Sequence, residues 1–187
     1  SVRMIRASWL GGPPPTRSGH PQSEEKIRNW YFYRETSGDI IVEQDCHNLD
    51  VINWFMGGHP VKATGYGSRA IRTIGDVLDN LSVSYQYENG TVVSYSAHQF
   101  GRQTFQDISE CFICDKGYVQ TSRRGYTIQR EGAKPEVAET KHDITQDAVN
   151  QFIDGCRTGK LENAAFHAAE STLMAILGRE AIYTGRE

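Results

Sequence analysis

The stretch that most constrains the fold is residues 81–97, where Leu81-Ser-Val83-Ser-Tyr85-Gln-Tyr87 alternates strictly between apolar and polar. Alternation of this period belongs to a strand with one buried and one solvated face. Glu88-Asn89-Gly90 follows, and Val93, Tyr95 and Ala97 resume the pattern. Residues directly opposite one another across a hairpin share a face. A two-residue Asn-Gly loop would set Tyr85 against Ser94 and Val83 against Ser96. A three-residue loop sets Tyr85 against Val93, Val83 against Tyr95 and Leu81 against Ala97, so the spacing predicts that loop, with Gly90 left-handed.

Further short strands surround this hairpin. Residues 2–10 alternate weakly, and residues 61–66, 106–114, 118–122 and 126–130 read as strands separated by turn residues such as Lys116-Gly117 and Arg123-Arg-Gly125. Residues 131–141 read as polar and irregular. Two helices follow. The first is capped at Thr145, carries Ala148, Val149, Phe152, Ile153 and Cys156 on one face, and ends at Gly155 and Gly159. The second, rich in Ala and Leu, covers residues 161–182. The expected fold is α+β: an open, mostly antiparallel sheet of about six strands with helices on one face. At 187 residues the chain is expected to form one domain.

Before the hairpin lies a different chemistry. Residues 11–21 hold three consecutive prolines and cannot be regular; they read as a surface excursion or as a loop reaching over a ligand. Ser23-Glu24-Glu25 opens a short helix, and Trp30, Tyr31, Phe32 and Tyr33 follow it, too many aromatics for one core. Each of these rings reads first as core packing, and Trp30 and Tyr33 are the candidates for stacking on a sugar face. Residues 39–56 then read as one helix, capped by Ser37 or Asp39 and ended by Gly57-Gly58. On it Glu43, His47, Asp50 and Trp54 fall at i, i+4, i+7 and i+11, along one stripe. Two acids, an imidazole and an indole suit the wall of a polar pocket better than a core. Residue chemistry leaves two roles for His47: a general base, since its ordinary pKa lies near working pH, or an imidazole that ties two elements together.

The pattern Glu43-x-x-x-His47-x-x-Asp50, with Asn53-Trp54, His59-Pro60, Gly75-Asp76 and the run at 171–179, resembles the C-terminal half of the Gfo/Idh/MocA family of NAD(P)-dependent sugar and polyol dehydrogenases. The resemblance implies that His47 and Glu43 are catalytic and that Asp50 binds substrate. It also implies a sugar or polyol substrate and an open sheet face that makes a homo-oligomer interface. NAD or NADP would be bound mainly by an N-terminal Rossmann domain outside this chain, which would also supply a catalytic lysine. The family position matching Glu43 is commonly Asp. Two other classes stay open: a relative that uses nicotinamide transiently to cleave glycosides, and a non-catalytic assembly or binding module.

Other signals point elsewhere. Gly65-Tyr-Gly67-Ser-Arg-Ala70 matches a dinucleotide fingerprint after a strand, but no helical stripe follows to bind a pyrophosphate, so no cofactor residue is assigned. Cys111 and Cys114 fall on opposite sides of a strand without a second ligand pair, so no metal is expected. His98 and His142 are expected to be structural or solvated. The net charge of −3 exerts no pull toward nucleic acid or an anionic membrane, and no apolar run is long enough to span a bilayer. Nothing in the chain marks its compartment.

Overall fold

The computed structural model describes residues 1–187 except 102, 104 and 162. Its strands are β1 (Val2–Gly11), β2 (Lys62–Ser68), β3 (Asn80–Gln86), β4 (Val92–Gln99), β5 (Asp107–Cys114), β6 (Gly117–Ser122), β7 (Gly125–Arg130) and β8 (Glu136–Glu139). They form one sheet in the order β2-β3-β4-β1-β5-β6-β7-β8. The β3–β4 hairpin has the expected register: Tyr85 faces Val93, Val83 faces Tyr95 and Leu81 faces Ala97. Its loop is Glu88-Asn89-Gly90, with Gly90 at φ +84°.

The sheet is larger than expected. The additional strand β8 lies in the stretch read as irregular, where Glu136, Val137 and Ala138 pair with Ile128, Thr127 and Tyr126. A short, acidic edge strand carries little apolar alternation and so leaves little sequence signal. The sheet also contains a pairing that no local pattern reveals. β1 is inserted at the centre, parallel to β4 and antiparallel to β5, and joins the hairpin to the C-terminal meander.

The helices are α1 (Glu25–Arg28), α2 (Arg34–Ser37), α3 (Ile40–Glu43), α4 (Cys46–Met56), α5 (Ile144–Thr158) and α6 (Ala165–Thr184). Ile40, Ile41, Leu49 and Ile52 from α3 and α4, with Met174, Ala175 and Ala181 from α6, close over Ile5, Ala7, Val83, Tyr85, Val93, Tyr95 and Phe112 of the sheet. Each large aliphatic residue buried here contributes about 1.5–3 kcal/mol. The helix expected from residue 161 begins at Ala165, and residue 162 lies outside the described residues. Asp143, not Thr145, caps α5 by accepting from the Thr145 and Gln146 amides. That helix runs through Gly155 to Thr158; Gly155 is a packing glycine, since a side chain there would meet Leu161. Val149, Phe152 and Ile153 on α5 stay exposed.

The expected single helix over residues 39–56 is broken. The Ile40 carbonyl accepts from both the Gln44 amide (2.9 Å) and the Asp45 amide (3.0 Å), which makes one wide turn between α3 and α4. Such a turn shifts the residues before it round the axis relative to those after it. It also drives Asp45 into the interior at 1% exposure. Asp39 caps α3, its side chain accepting from the Ile40 amide at 2.7 Å, with φ at +84°. Gly57 ends α4 in the left-handed conformation.

Two consequences can be measured. A Cβ at position 178 of α6 would run into the hydroxyl of buried Tyr85. Gly178→Ala should therefore cost about 1–3 kcal/mol in denaturant unfolding, and less in a Tyr85→Phe background, which removes that oxygen. Burial also pushes the Asp45 carboxyl well above its ordinary value of 3.8. The folded state then holds a proton that the unfolded chain releases more readily. Stability on this account is greatest below pH 3.8 and is lost as pH rises toward the elevated folded value. Asp45→Asn should flatten that decline in a melting-temperature-versus-pH series and raise the melting temperature at neutral pH.

Candidate functional site

A cleft of about 1030 Å³ opens between α4 and α6 on one side and the β5–β7 strands on the other. Its α4 wall carries His47, Asp50, Val51, Trp54 and Phe55. Three of the four residues of the predicted stripe thus share this wall. Glu43 sits within the wide turn and does not line the cleft, but it remains close enough to His47 to feel its charge. Burial pushes the Glu43 carboxyl up and the His47 charge pulls it back, with the net shift upward.

His47 is exposed to the cleft. Its ring lies 5.7 Å from that of Trp9, tilted by 31°. Trp9 lies on the same face of β1 as Ile5 and Ala7, so the strand that builds the core also carries the indole against the imidazole. Alternation along residues 2–10 places Trp9 on the buried face, but only the tertiary fold brings that face to α4.

Asp50 is tied to α6. Its Oδ1 accepts from Ser171 Oγ at 2.5 Å and lies 2.9 Å from His167 Nε2. This carboxylate therefore links two helices as well as facing the cleft, and only part of its accepting capacity is left for a ligand. Trp54 is 70% exposed and stands edge-on to Phe55, whose ring stacks on Phe112 at 4.5 Å. An indole held open in this way offers an apolar face to a ligand.

Trp30 and Tyr33 lie apart from this cleft. Tyr33 Oη donates to Glu25 Oε1 at 3.2 Å, and Trp30 is partly exposed beside Tyr31. The proline-rich segment is held against the same region. The Arg17 amide donates to Asn29 Oδ1 at 2.8 Å, Asn29 Nδ2 donates back to the Arg17 carbonyl at 3.0 Å, and Tyr31 donates to the Pro15 carbonyl. His98 is structural, with its ring nitrogens 3.2 Å and 3.1 Å from the Gly11 and Phe105 carbonyls.

Sequence reasoning missed the sheet side of the cleft. Glu110 of β5 is 6% exposed and lines the cleft. It accepts from Thr121 Oγ1 at 2.6 Å and from Asn48 Nδ2. The signal was present: Ile108, Glu110 and Phe112 share one side of a strand, and an acid on a core-facing parity calls for a partner.

The apparent dinucleotide fingerprint has a structural explanation. Gly65 and Gly67 lie within β2, where side chains would meet the Ser82 carbonyl and Leu78. The amides of Ala70, Ile71 and Arg72 donate to the Asp79 carboxylate at 2.7–2.8 Å, the position a phosphate would need. Among the described residues no group of three or more His, Cys, Asp or Glu could hold a metal ion, and no helix is long and apolar enough to cross a membrane.

Comparison with known proteins accords with this architecture. Residues 1–120 match the model of the GFO/IDH/MocA C-terminal domain. No curated protein matches the chain. Among solved structures, UDP-N-acetylglucosamine 3-dehydrogenase GnnA from Acidithiobacillus ferrooxidans superposes with a TM-score of 0.74 at 18% identity, over 98% of this chain and 54% of that one. The WlbA dehydrogenase from Bordetella pertussis, in complex with NADH and UDP-GlcNAcA, gives 0.71 at 14% identity, over 98% and 53%. Levoglucosan dehydrogenase, in complex with NADH and levoglucosan, gives 0.76 at 13% identity, over 99% and 58%. The chain thus spans little more than half the length of these proteins. With the family model matching residues 1–120 of 187, the chain belongs to the Gfo/Idh/MocA oxidoreductase family and carries its C-terminal domain.

Proposed function

We propose that this chain is the substrate-side domain of a nicotinamide-dependent sugar or polyol oxidoreductase, with His47 as its general base. The observation that carries this reading is the setting of His47: exposed at the wall of a large cleft, backed by the Trp9 ring, and within electrostatic reach of half-buried Glu43. Oxidation of a secondary alcohol requires a base for the hydroxyl proton, and NAD or NADP, bound mainly by a preceding domain, would supply the hydride acceptor.

In this reading the His47 imidazole takes the proton from a substrate hydroxyl lying in the cleft. Glu43, whose carboxyl feels the His47 charge, is the acid placed to act with it. The remaining lone pairs of Asp50 accept from a second hydroxyl, while Ser171 and His167 hold its carboxylate in place. Trp54 covers the C–H face of the sugar ring. The relatives with bound NADH and a sugar-type ligand support this substrate class.

The free face of the sheet is the proposed contact between subunits. Met4, Val92 and Ile113 are neighbours across β4, β1 and β5, and each remains 39–42% exposed. Such a patch gains by burial against a second copy.

The direct assay is absorbance at 340 nm, using the full-length gene product with NAD or NADP and a panel of sugars and polyols. Accumulation of reduced nicotinamide supports net oxidation. Glycoside cleavage without accumulation would point to the transient-oxidation class instead. His47→Ala should lower kcat by about 10²–10⁴-fold with the fold intact by circular dichroism. Unchanged turnover would remove His47 from the chemistry and leave a binding or assembly role.

A further inference from the structure

The cleft has a second polar region, on the sheet side. Asn48 follows His47 on α4 and is 2% exposed. Its Nδ2 is committed to Glu110 Oε1, which fixes the direction of the amide, and its Oδ1 meets no donor among the described residues. Glu110 accepts one hydrogen bond on each oxygen, from Asn48 and from Thr121, and a carboxylate has room for more. The unused capacity of this group is therefore mostly accepting: Asn48 Oδ1 and the remaining Glu110 lone pairs, beside one further N–H of Asn48 Nδ2. Burial pushes the Glu110 carboxyl up, while Thr121 and Asn48 restrain it.

We propose that Asn48, Glu110 and Thr121 form a hydroxyl-binding subsite at the floor of the cleft. Its ligand would be a neutral sugar or cyclitol whose ring hydroxyls donate to Asn48 Oδ1 and Glu110. The subsite rests on the oxidoreductase reading above and deepens it by assigning recognition to the sheet side of the same cleft. A buried acceptor without a donor selects for a donating ligand, because a ligand lacking the hydroxyl leaves that acceptor unpaired. A phosphate or carboxylate group brings no donor and faces the Glu110 charge. The nearby Trp54 and Phe55 suit a ring with C–H faces.

The test uses this chain, isotopically labelled, and follows the Asn48 side-chain amide in ¹H–¹⁵N spectra. Levoglucosan and myo-inositol serve as neutral polyol probes and ethanolamine as an ammonium probe. The expected result is a saturable shift of the Asn48 amide with at least one polyol. Glu110→Gln is the informative variant, because it keeps the side chain's size and one oxygen to accept from Asn48 but removes the charged acceptor that a ligand hydroxyl would use. It should weaken polyol binding about tenfold or more, the loss expected for a hydrogen bond to a charged acceptor. Its melting temperature should be unchanged or raised. A lower melting temperature with unaltered binding would make the group purely structural and overturn the proposal. So would a shift with ethanolamine alone, or polyol binding that leaves Asn48 unmoved. The two readings fail separately: nicotinamide reduction with a silent Asn48 sinks only the subsite. A polyol-sensitive Asn48 in a full-length protein that never reduces nicotinamide upholds the subsite and sinks the oxidoreductase.

Discussion

The structure depends on the pairing of β1 along both of its edges. On one side it runs parallel to β4, with Ile5 opposite Val93 and Ala7 opposite Tyr95; on the other it is antiparallel to β5, with Ile5 opposite Phe112. Without this strand, the β2–β4 sheet and the β5–β8 meander would each expose an edge. The same alternation that buries Ile5 and Ala7 carries Trp9 to the His47 ring. Core and site are consecutive positions on one face of one strand, so a disturbance in β1 register would move the imidazole's support to the wrong side of the sheet.

The second constraint is the wide turn at Ile40–Asp45. A straight helix would keep Glu43 and His47 one above the other on a single stripe. The extra residue takes Glu43 off the cleft wall and buries Asp45 beneath it. The buried carboxyl sits near the hydroxyls of Tyr85 and Tyr95, and that of Tyr85 meets no hydrogen-bond partner among the described residues. An interior holding these groups costs stability, and it persists because the aliphatic packing of Ile40, Ile41, Leu49 and Ile52 around it is extensive.

The cleft follows from these two features. One wall is helical and carries the titratable groups; the other is the meander, which contributes Glu110, Thr121 and apolar Ile108. Asp50, bound by Ser171 and His167, holds α4 to α6 and so keeps the helical wall in one position.

The sequence by itself determined whatever depends on neighbours in the chain. The Leu81-to-Ala97 alternation set the hairpin register, Gly90 and Gly57 marked the left-handed turns, Ser37 and Asp39 marked the cap to within two residues, and His47, Asp50 and Trp54 were already on one helical stripe. The family pattern was legible for the same reason, since Glu43, His47 and Asp50 lie within eight consecutive residues. Only the tertiary structure decided the rest. The central place of β1, the edge strand β8, the contact of Trp9 with His47 and the meeting of Asn48 with Glu110 join residues far apart in the chain. Hydrophobic periodicity says which face of an element is buried, but not what it is buried against. The wide turn was equally hidden, because one additional residue in a helix costs little locally and is settled by which side chains the core can admit.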